Sequence, residues 1–244
     1  MSNVLQVRDL GKGTILKDIS FDMQAGEMVA VMGPSGSGKS TLLYNVSGMD
    51  QADEGQVLLG DAEITGMSED AKAGLRLTQM GFVFQQMNML ENLNILDNIT
   101  LPAIHADKKQ RKEYEARAMA LMEEFHIADL AERKVNEVSG GQLQRACICR
   151  SMMMKPKIIF ADEPTGALNQ TAAGEVAEAF VRINQAGTSI LMVTHDSRVA
   201  SICERILYLL DGEIKGELKL GKVQGEDLRD REQKTLQWLK EMGW

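Results

Sequence analysis

Residues 33–40 read GPSGSGKS, the spacing GxxxxGK[S/T], directly after the apolar run Met28 to Met32 and before the stretch TLLYNVSG. Glycines at these positions let successive backbone N–H groups turn toward an anion, and the start of the following helix adds partial positive charge. Lys39 is then placed to reach β- and γ-phosphates and Ser40 to ligate Mg²⁺. The candidate residues for a bound nucleotide are Gly33, Pro34, Ser35, Gly36, Ser37, Gly38, Lys39, Ser40 and Thr41. A second constellation, KIIFADE, runs from Lys157 to Glu163 and sets two acids side by side at the end of an apolar strand. Strand ends in an open α/β sheet are where the phosphate loop also lies, so the two acids can divide the work. Asp162 is suited to the Mg²⁺ shell, and Glu163 to orienting and polarising a water for in-line attack on a γ-phosphate. A third element, Ser139, Gly140, Gly141 and Gln142, exposes backbone amides before a helix expected to begin near Leu143. One phosphate loop cannot easily use both anion sites, which points to a nucleotide held by another copy of the chain. His195 ends a further apolar strand, Ser189 to Val193, close to where the two acids should emerge.

Positioning these groups requires a particular architecture. Short apolar runs rich in β-branched residues alternate with longer stretches of helical period, the pattern of a parallel sheet covered by crossover helices. The buried strands are Met28 to Met32, Lys157 to Ala161 and Ser189 to Val193. Val4 to Asp9, Ser20 to Met23 and Gly55 to Leu59 read as a small antiparallel layer, with Gly60-Asp61 as a turn. From about Asn88 to Lys155 strand signals fade, and Ala118, Leu121, Met122 and Phe125 fall on one helix face, so this region reads as a helical insertion. The fold class is α/β, with a mainly parallel sheet, an antiparallel layer and a helical lobe.

Bulk chemistry narrows the function classes. The 244 residues include 44% hydrophobic and 25% charged residues with 4 Pro, which excludes a disordered or low-complexity chain. A formal charge of −8 disfavours a nucleic-acid backbone as partner. The 3 cysteines lack zinc-ligand spacing and imply a reducing compartment. No run of 18 uncharged apolar residues is present, so the chain is expected neither to span a membrane nor to be secreted.

GPSGSGKS, VSGGQLQR, IIFADEPTGALN and VTHD stand in the order and context of the ATP-binding subunits of ABC transporters, and the chain resembles that family along nearly its whole length. The resemblance implies one P-loop ATPase domain. Its core lobe would comprise residues 1–87 and 156–225, its helical lobe residues 88–155, and its tail residues 226–244. It implies an ATP-dependent head-to-tail homodimer with ATP sandwiched between the phosphate loop of one copy and the SGGQ element of the other. Gln85 matches the glutamine that touches the Mg²⁺ and water region, and His195 the histidine that contacts the γ-phosphate and attacking water. A separate transmembrane permease subunit would hold the protein at the cytoplasmic side of the membrane, with the groove near Gln85 to Asn98 as receptor. DEPTGALN and ICERILYLLDGEIKGEL look most like the lipoprotein-releasing, macrolide-exporting and bacitracin-type peptide-resistance group. A regulatory ATPase coupled to a membrane protein without transport shares every motif, and a soluble ABC-type ATPase is the third reading.

Two positions depart from the family pattern. Asn169 stands where most members have Asp, which keeps hydrogen-bonding capacity and loses a charge. No Tyr, Phe or Trp precedes Phe21 to stack on adenine, and Phe21 itself reads as core. Loss of one stacking surface is worth about 1–3 kcal/mol, so modest ATP affinity and poor discrimination against GTP are expected. Other features read as ordinary structure: His105 and His126 as helix or loop positions, Lys108 to Lys112 as a solvated face, Met152 to Met154 as core, Cys147 and Cys149 as inert burial. The tail from Glu226 carries too many large apolar groups to leave wet and is expected to dock on its own domain.

Overall fold

The computed structural model describes residues 2–223 and 228–244. Its centre is a six-stranded sheet in the order β10-β9-β3-β8-β7-β6. The strands β3 (Met28–Met32), β6 (Met80–Phe84), β7 (Ile158–Asp162), β8 (Ser189–Val193) and β9 (Arg205–Leu210) run parallel, and β10 (Glu213–Lys219) turns back antiparallel on β9. Each central strand is buried on both faces, and alternate residues feed different cores. Met28, Ala30 and Met32 face the helices, whereas Val29 and Val31 face the second sheet.

That second sheet is antiparallel, in the order β2-β1-β4-β5, from β1 (Asn3–Lys12), β2 (Leu16–Gln24), β4 (Glu54–Leu59) and β5 (Ala62–Glu63). It packs with α1 (Lys39–Val46), whose Leu42, Leu43 and Val46 are buried in the same cluster as Leu5, Val7 and Val57. On the opposite face lie α3 (Ile95–Ala106), α4 (Arg111–Glu124), α5 (Gly140–Met152) and α6 (Gln170–Gln185). The short α2 (Glu69–Gln79) leads into β6, and α7 (Ser197–Ser201) follows β8. The Ala118, Leu121, Met122 and Phe125 stripe is buried as its spacing requires.

Several boundaries differ from the sequence reading. The strand expected at Lys157 to Ala161 is Ile158–Asp162, one residue later, so Asp162 is inside the sheet and paired with Val193 and Phe84. The helix expected near Leu143 begins at Gly140, because Ser139 caps it: its Oγ accepts from the Gln142 N–H at 3.3 Å, while Gln142 Oε1 accepts from the Ser139 N–H at 2.9 Å. This reciprocal capping box lets two glycines stand in the first turn despite their poor helix propensity.

The tail reading begins at Glu226, which lies outside the described residues; from Leu228 the chain forms α8 (Leu228–Glu241). Arg231, 1% exposed, donates from its guanidinium to the carbonyls of Ser201, Cys203, Leu220 and Gly221, and Leu239 is buried in the main core. The tail docks on its own domain.

Candidate functional site

The loop between β3 and α1 wraps tightly because glycine allows it. A Cβ on Gly33 would stand 2.0 Å from the Leu209 carbonyl oxygen, and Gly36 and Gly38 adopt φ of 82° and 101°. Gly38 caps α1 with no side chain accepting from the first turn, so the helix presents free N–H groups to the loop. Lys39 Nζ donates to the carbonyls of Gly33 at 2.8 Å and Pro34 at 2.9 Å. Burial lowers the Lys39 pKa, against the charges of Glu163 and Asp162 that raise it. The Ser37 hydroxyl is buried inside the loop with no hydrogen-bond partner among the described residues.

The register of β7 beside β8 brings the acids and the histidine to the same end of the sheet. Asp162 Oδ1 accepts from the Ser40 hydroxyl at 3.0 Å, and Oδ2 accepts from the Tyr44 hydroxyl at 2.8 Å. Burial first, then the hydrogen bond and charge of Asp162, push the Tyr44 phenol up to about 12. Glu163 follows in the left-handed region at φ 47°, held by its N–H donating to the Val193 carbonyl at 2.9 Å. A glutamate there stores backbone strain of order 1–3 kcal/mol, as functional positions often do. Its Oε2 lies 2.9 Å from His195 Nδ1.

Members of this group line two cavities. One, of about 480 Å³, is lined by Gly33, Pro34, Ser35, Lys39, Glu163 and His195 together with Tyr208, Gly243 and Trp244. It can take an anion on the loop amides and Lys39, with a carboxylate and an imidazole facing it. The other, of about 610 Å³, includes Tyr44, Phe84, Gln85 and Asp162. Hydroxyl and carboxylate oxygens at Ser40 and Asp162 are the hard donors that suit Mg²⁺, which takes one or two protein oxygens and fills its shell with water and phosphate.

Ser139, Gly140, Gly141 and Gln142 are not brought to this loop. They sit at the start of α5 beside Leu168 and Ala172, with Ser139 and Gly140 exposed. Asn169 is also apart: it is the N-cap of α6, its Oδ1 accepting from the Ala172 N–H at 3.0 Å. Asn and Asp cap helices about equally well, so the missing charge costs the local structure little. Beside Gly38 the residue on the β1–β2 turn is Ile15, 46% exposed, and Phe21 is core as expected.

Sequence reasoning missed three residues here. Tyr44 lies four positions after Ser40 and so shares its helix face, but its partner Asp162 is 118 residues away and no local signal links them. Gln144, buried, donates to the carbonyls of Phe84 at 3.2 Å and Pro164 at 2.7 Å, tying α5 to the segments that carry Gln85 and Glu163. Trp244 has no local signal; α8 delivers it.

The profile of the ABC transporter family matches residues 16–166. The chain belongs to the ABC transporter family. It is 40% identical over 230 residues to the ABC transporter ATP-binding protein YxdL of Bacillus subtilis (strain 168), covering 91% of this chain and 89% of that protein. It is 38% identical over 236 residues to the macrolide export ATP-binding/permease protein MacB of Campylobacter jejuni subsp. jejuni serotype O:23/36 (strain 81-176). That match covers 96% of this chain, which spans only 37% of the length of the MacB protein. Among solved structures, the ATP-binding cassette MJ0796 in a dimeric post-hydrolysis state bound to ADP and Pi superposes with a TM-score of 0.77 at 33% identity, over 90% of this chain and 100% of that one. This ABC ATPase domain is an α/β cassette, and among its described residues no helix is long and apolar enough to cross a membrane.

Proposed function

We propose that this ABC ATPase domain hydrolyses ATP at the phosphate loop to power a bacterial transporter of the macrolide-export, lipoprotein-release or antimicrobial-peptide-resistance type. The observation that carries the chemistry is the Glu163–His195 pair facing the cavity that holds Lys39, while the neighbouring Asp162 is bonded to Ser40. On binding, Lys39 exchanges its carbonyl partners for phosphate oxygens, and backbone N–H groups from Ser35 to Thr41 face the phosphates. Ser40 and Asp162 would hold Mg²⁺, with Gln85 beside Asp162, and the ion would supply charge neutralisation of the phosphates. Glu163 accepts a proton from the attacking water. His195 orients that carboxylate through Nδ1 and leaves Nε2 for the phosphate side.

Two copies arranged head to tail would place Ser139, Gly140, Gly141, Gln142 and Asn169 of one against the nucleotide of the other. Ser139, Gly140 and Asn169 are exposed and lie away from their own loop, which supports this arrangement. The lobes act as one domain, with residues 88–155 as the helical part. A cavity of about 630 Å³ between the sheet and that helical part, lined by Leu77, Phe82, Phe84, Leu101 and Pro102, is suited to an apolar helix of a membrane permease. Its lining residue Phe84 immediately precedes the Gln85 to Asn98 segment. Exposed Met49 and Leu101 at its rim support the same partner, which would hold the protein at the cytoplasmic face.

Tagged Glu163→Gln protein with ATP is the test, captured from detergent-solubilised host membranes with its companions identified by mass spectrometry. A stoichiometric polytopic membrane protein is expected. An ATP-dependent dimer with no membrane protein would overturn the transporter reading, and an ATP-independent monomer by light scattering would overturn the dimer.

A further inference from the structure

Both carboxylate oxygens of Asp162 are engaged by hydroxyl groups of one helix. Ser40 donates to Oδ1 at 3.0 Å and Tyr44 donates to Oδ2 at 2.8 Å. The two donors are one helical turn apart on α1 and therefore share a face. Only Ser40 belongs to the GxxxxGK[S/T] motif; the ring at 44 is a feature of this chain outside it.

The Tyr44 hydroxyl does not reach Asp162 on a flexible arm. Its ring meets Phe84 edge-on, with centroids 6.5 Å apart at 63°. Phe84 stacks on Phe82 at 5.9 Å, and Phe82 on Phe160 at 5.7 Å. Phe84 pairs with Asp162, and Phe82 with Phe160, in the register of β6 and β7. The row of rings that holds the phenol is thus built on the same two strands that hold the carboxylate, which fixes donor and acceptor to one rigid frame.

We propose that Tyr44 is a positioning residue for the metal ion of the bound nucleotide. By holding Oδ2, it keeps Oδ1 and the Ser40 hydroxyl as a fixed pair of oxygens, so no side-chain freedom is lost when the ion arrives. A packing role would need the ring and not the oxygen. The inference rests on the nucleotide reading of the site.

Tyr44→Phe separates the two roles, since it keeps the ring contacts and removes one hydroxyl. Binding of ADP to the full chain is measured by calorimetry with Mg²⁺ and with EDTA, so no turnover is involved. The gain in affinity from Mg²⁺ should shrink by at least about threefold in the variant, with metal-free affinity held within about twofold. Mn²⁺ titrated into the ADP complex and followed by electron spin resonance should show the same loss. Equal metal dependence in the two proteins would overturn the role of Tyr44. A wild-type chain that binds ADP without any gain from Mg²⁺ would overturn it too, leaving the nucleotide reading intact, whereas no ADP binding under either condition would overturn both. Should Tyr44→Phe fail to fold, Phe84→Leu removes the ring edge that steadies Tyr44; it should give the same selective loss, and an unchanged metal gain would count against the proposal.

Discussion

His195 Nδ1 lies 2.9 Å from Glu163 Oε2 at the rim of the cavity that contains the phosphate loop. The contact spans 32 residues and exists because β7 and β8 are parallel neighbours in register, so the residues that leave their ends meet. In the proposed function this carboxylate is the proton acceptor, and the contact gives it a fixed direction. Glu163→Gln should keep ATP binding and lose hydrolysis by about 10²-fold or more, the usual worth of a general base. His195→Ala should also lower kcat, with a smaller change in nucleotide affinity. Single-turnover hydrolysis beside equilibrium ATP binding checks both, and a Glu163→Gln protein that still turns over would remove Glu163 from the chemistry.

Lys39→Ala takes away the ammonium that bridges the carbonyls of Gly33 and Pro34. Nucleotide affinity should fall by more than about tenfold, since a charge-assisted contact to phosphate is lost. The fold should survive because Lys39 is only half-buried. Calorimetric titration of ADP and a thermal melt of the same sample distinguish loss of binding from loss of fold.

At Gly33 the constraint is close approach. A methyl group there would stand 2.0 Å from the Leu209 carbonyl oxygen and 2.8 Å from the Ser37 hydroxyl, so either β9 or the loop must move. Gly33→Ala should lower stability by about 1–3 kcal/mol, the usual cost of overpacking. Urea unfolding measures it, and an unchanged midpoint would mean the loop relaxes freely.

Burial pushes the Cys147 thiol up to about 11, and pushes Cys149 and Cys203 higher still. In the folded chain the thiolate fraction of Cys147 at pH 8 is on the order of 0.1%. Alkylation by iodoacetamide should therefore be slow in buffer and fast in urea. The fold favours the neutral thiol, so this part of its stability is intact below the ordinary thiol value of 9.0 and is lost as pH rises toward about 11. Melting temperature should decline over that window, and Cys147→Ala should flatten the decline.

Trp244 sits at the phosphate cavity because α8 ends in a fixed geometry. Gly243 is left-handed at φ 88° and its N–H donates to the Lys240 carbonyl, while the Trp244 N–H donates to the Leu239 carbonyl at 2.9 Å. This is a Schellman closure, and the indole also meets Tyr208 edge-on at 6.3 Å. With Trp238→Phe, Trp244 is the single tryptophan left among the 2 in the chain. Its emission should shift on ADP binding with the midpoint found by calorimetry; a flat signal at saturation would place the indole away from the ligand.

The groups legible in the sequence are those whose partners are near in the chain. The phosphate loop, the acids at 162 and 163, the three central strands and the buried helix stripe all follow from local spacing, because turn, helix and strand periods act over fewer than about ten residues. Two elements had local signals that went unused. The β9–β10 hairpin turns at Asp211-Gly212, both with positive φ, as an Asp-Gly turn favours. The edge strand β6 alternates Phe82 and Phe84 on one side of Val83. The rest was decided by strand order and by packing between distant segments. Tyr44 meets Asp162 across 118 residues, Gln144 ties α5 to two strand ends, and Arg231 seats α8 so that Trp244 reaches the phosphate loop. Pattern in one segment carries no information on which other segment lies beside it; the parallel sheet and the two cores supply that, because each central strand must bury both faces.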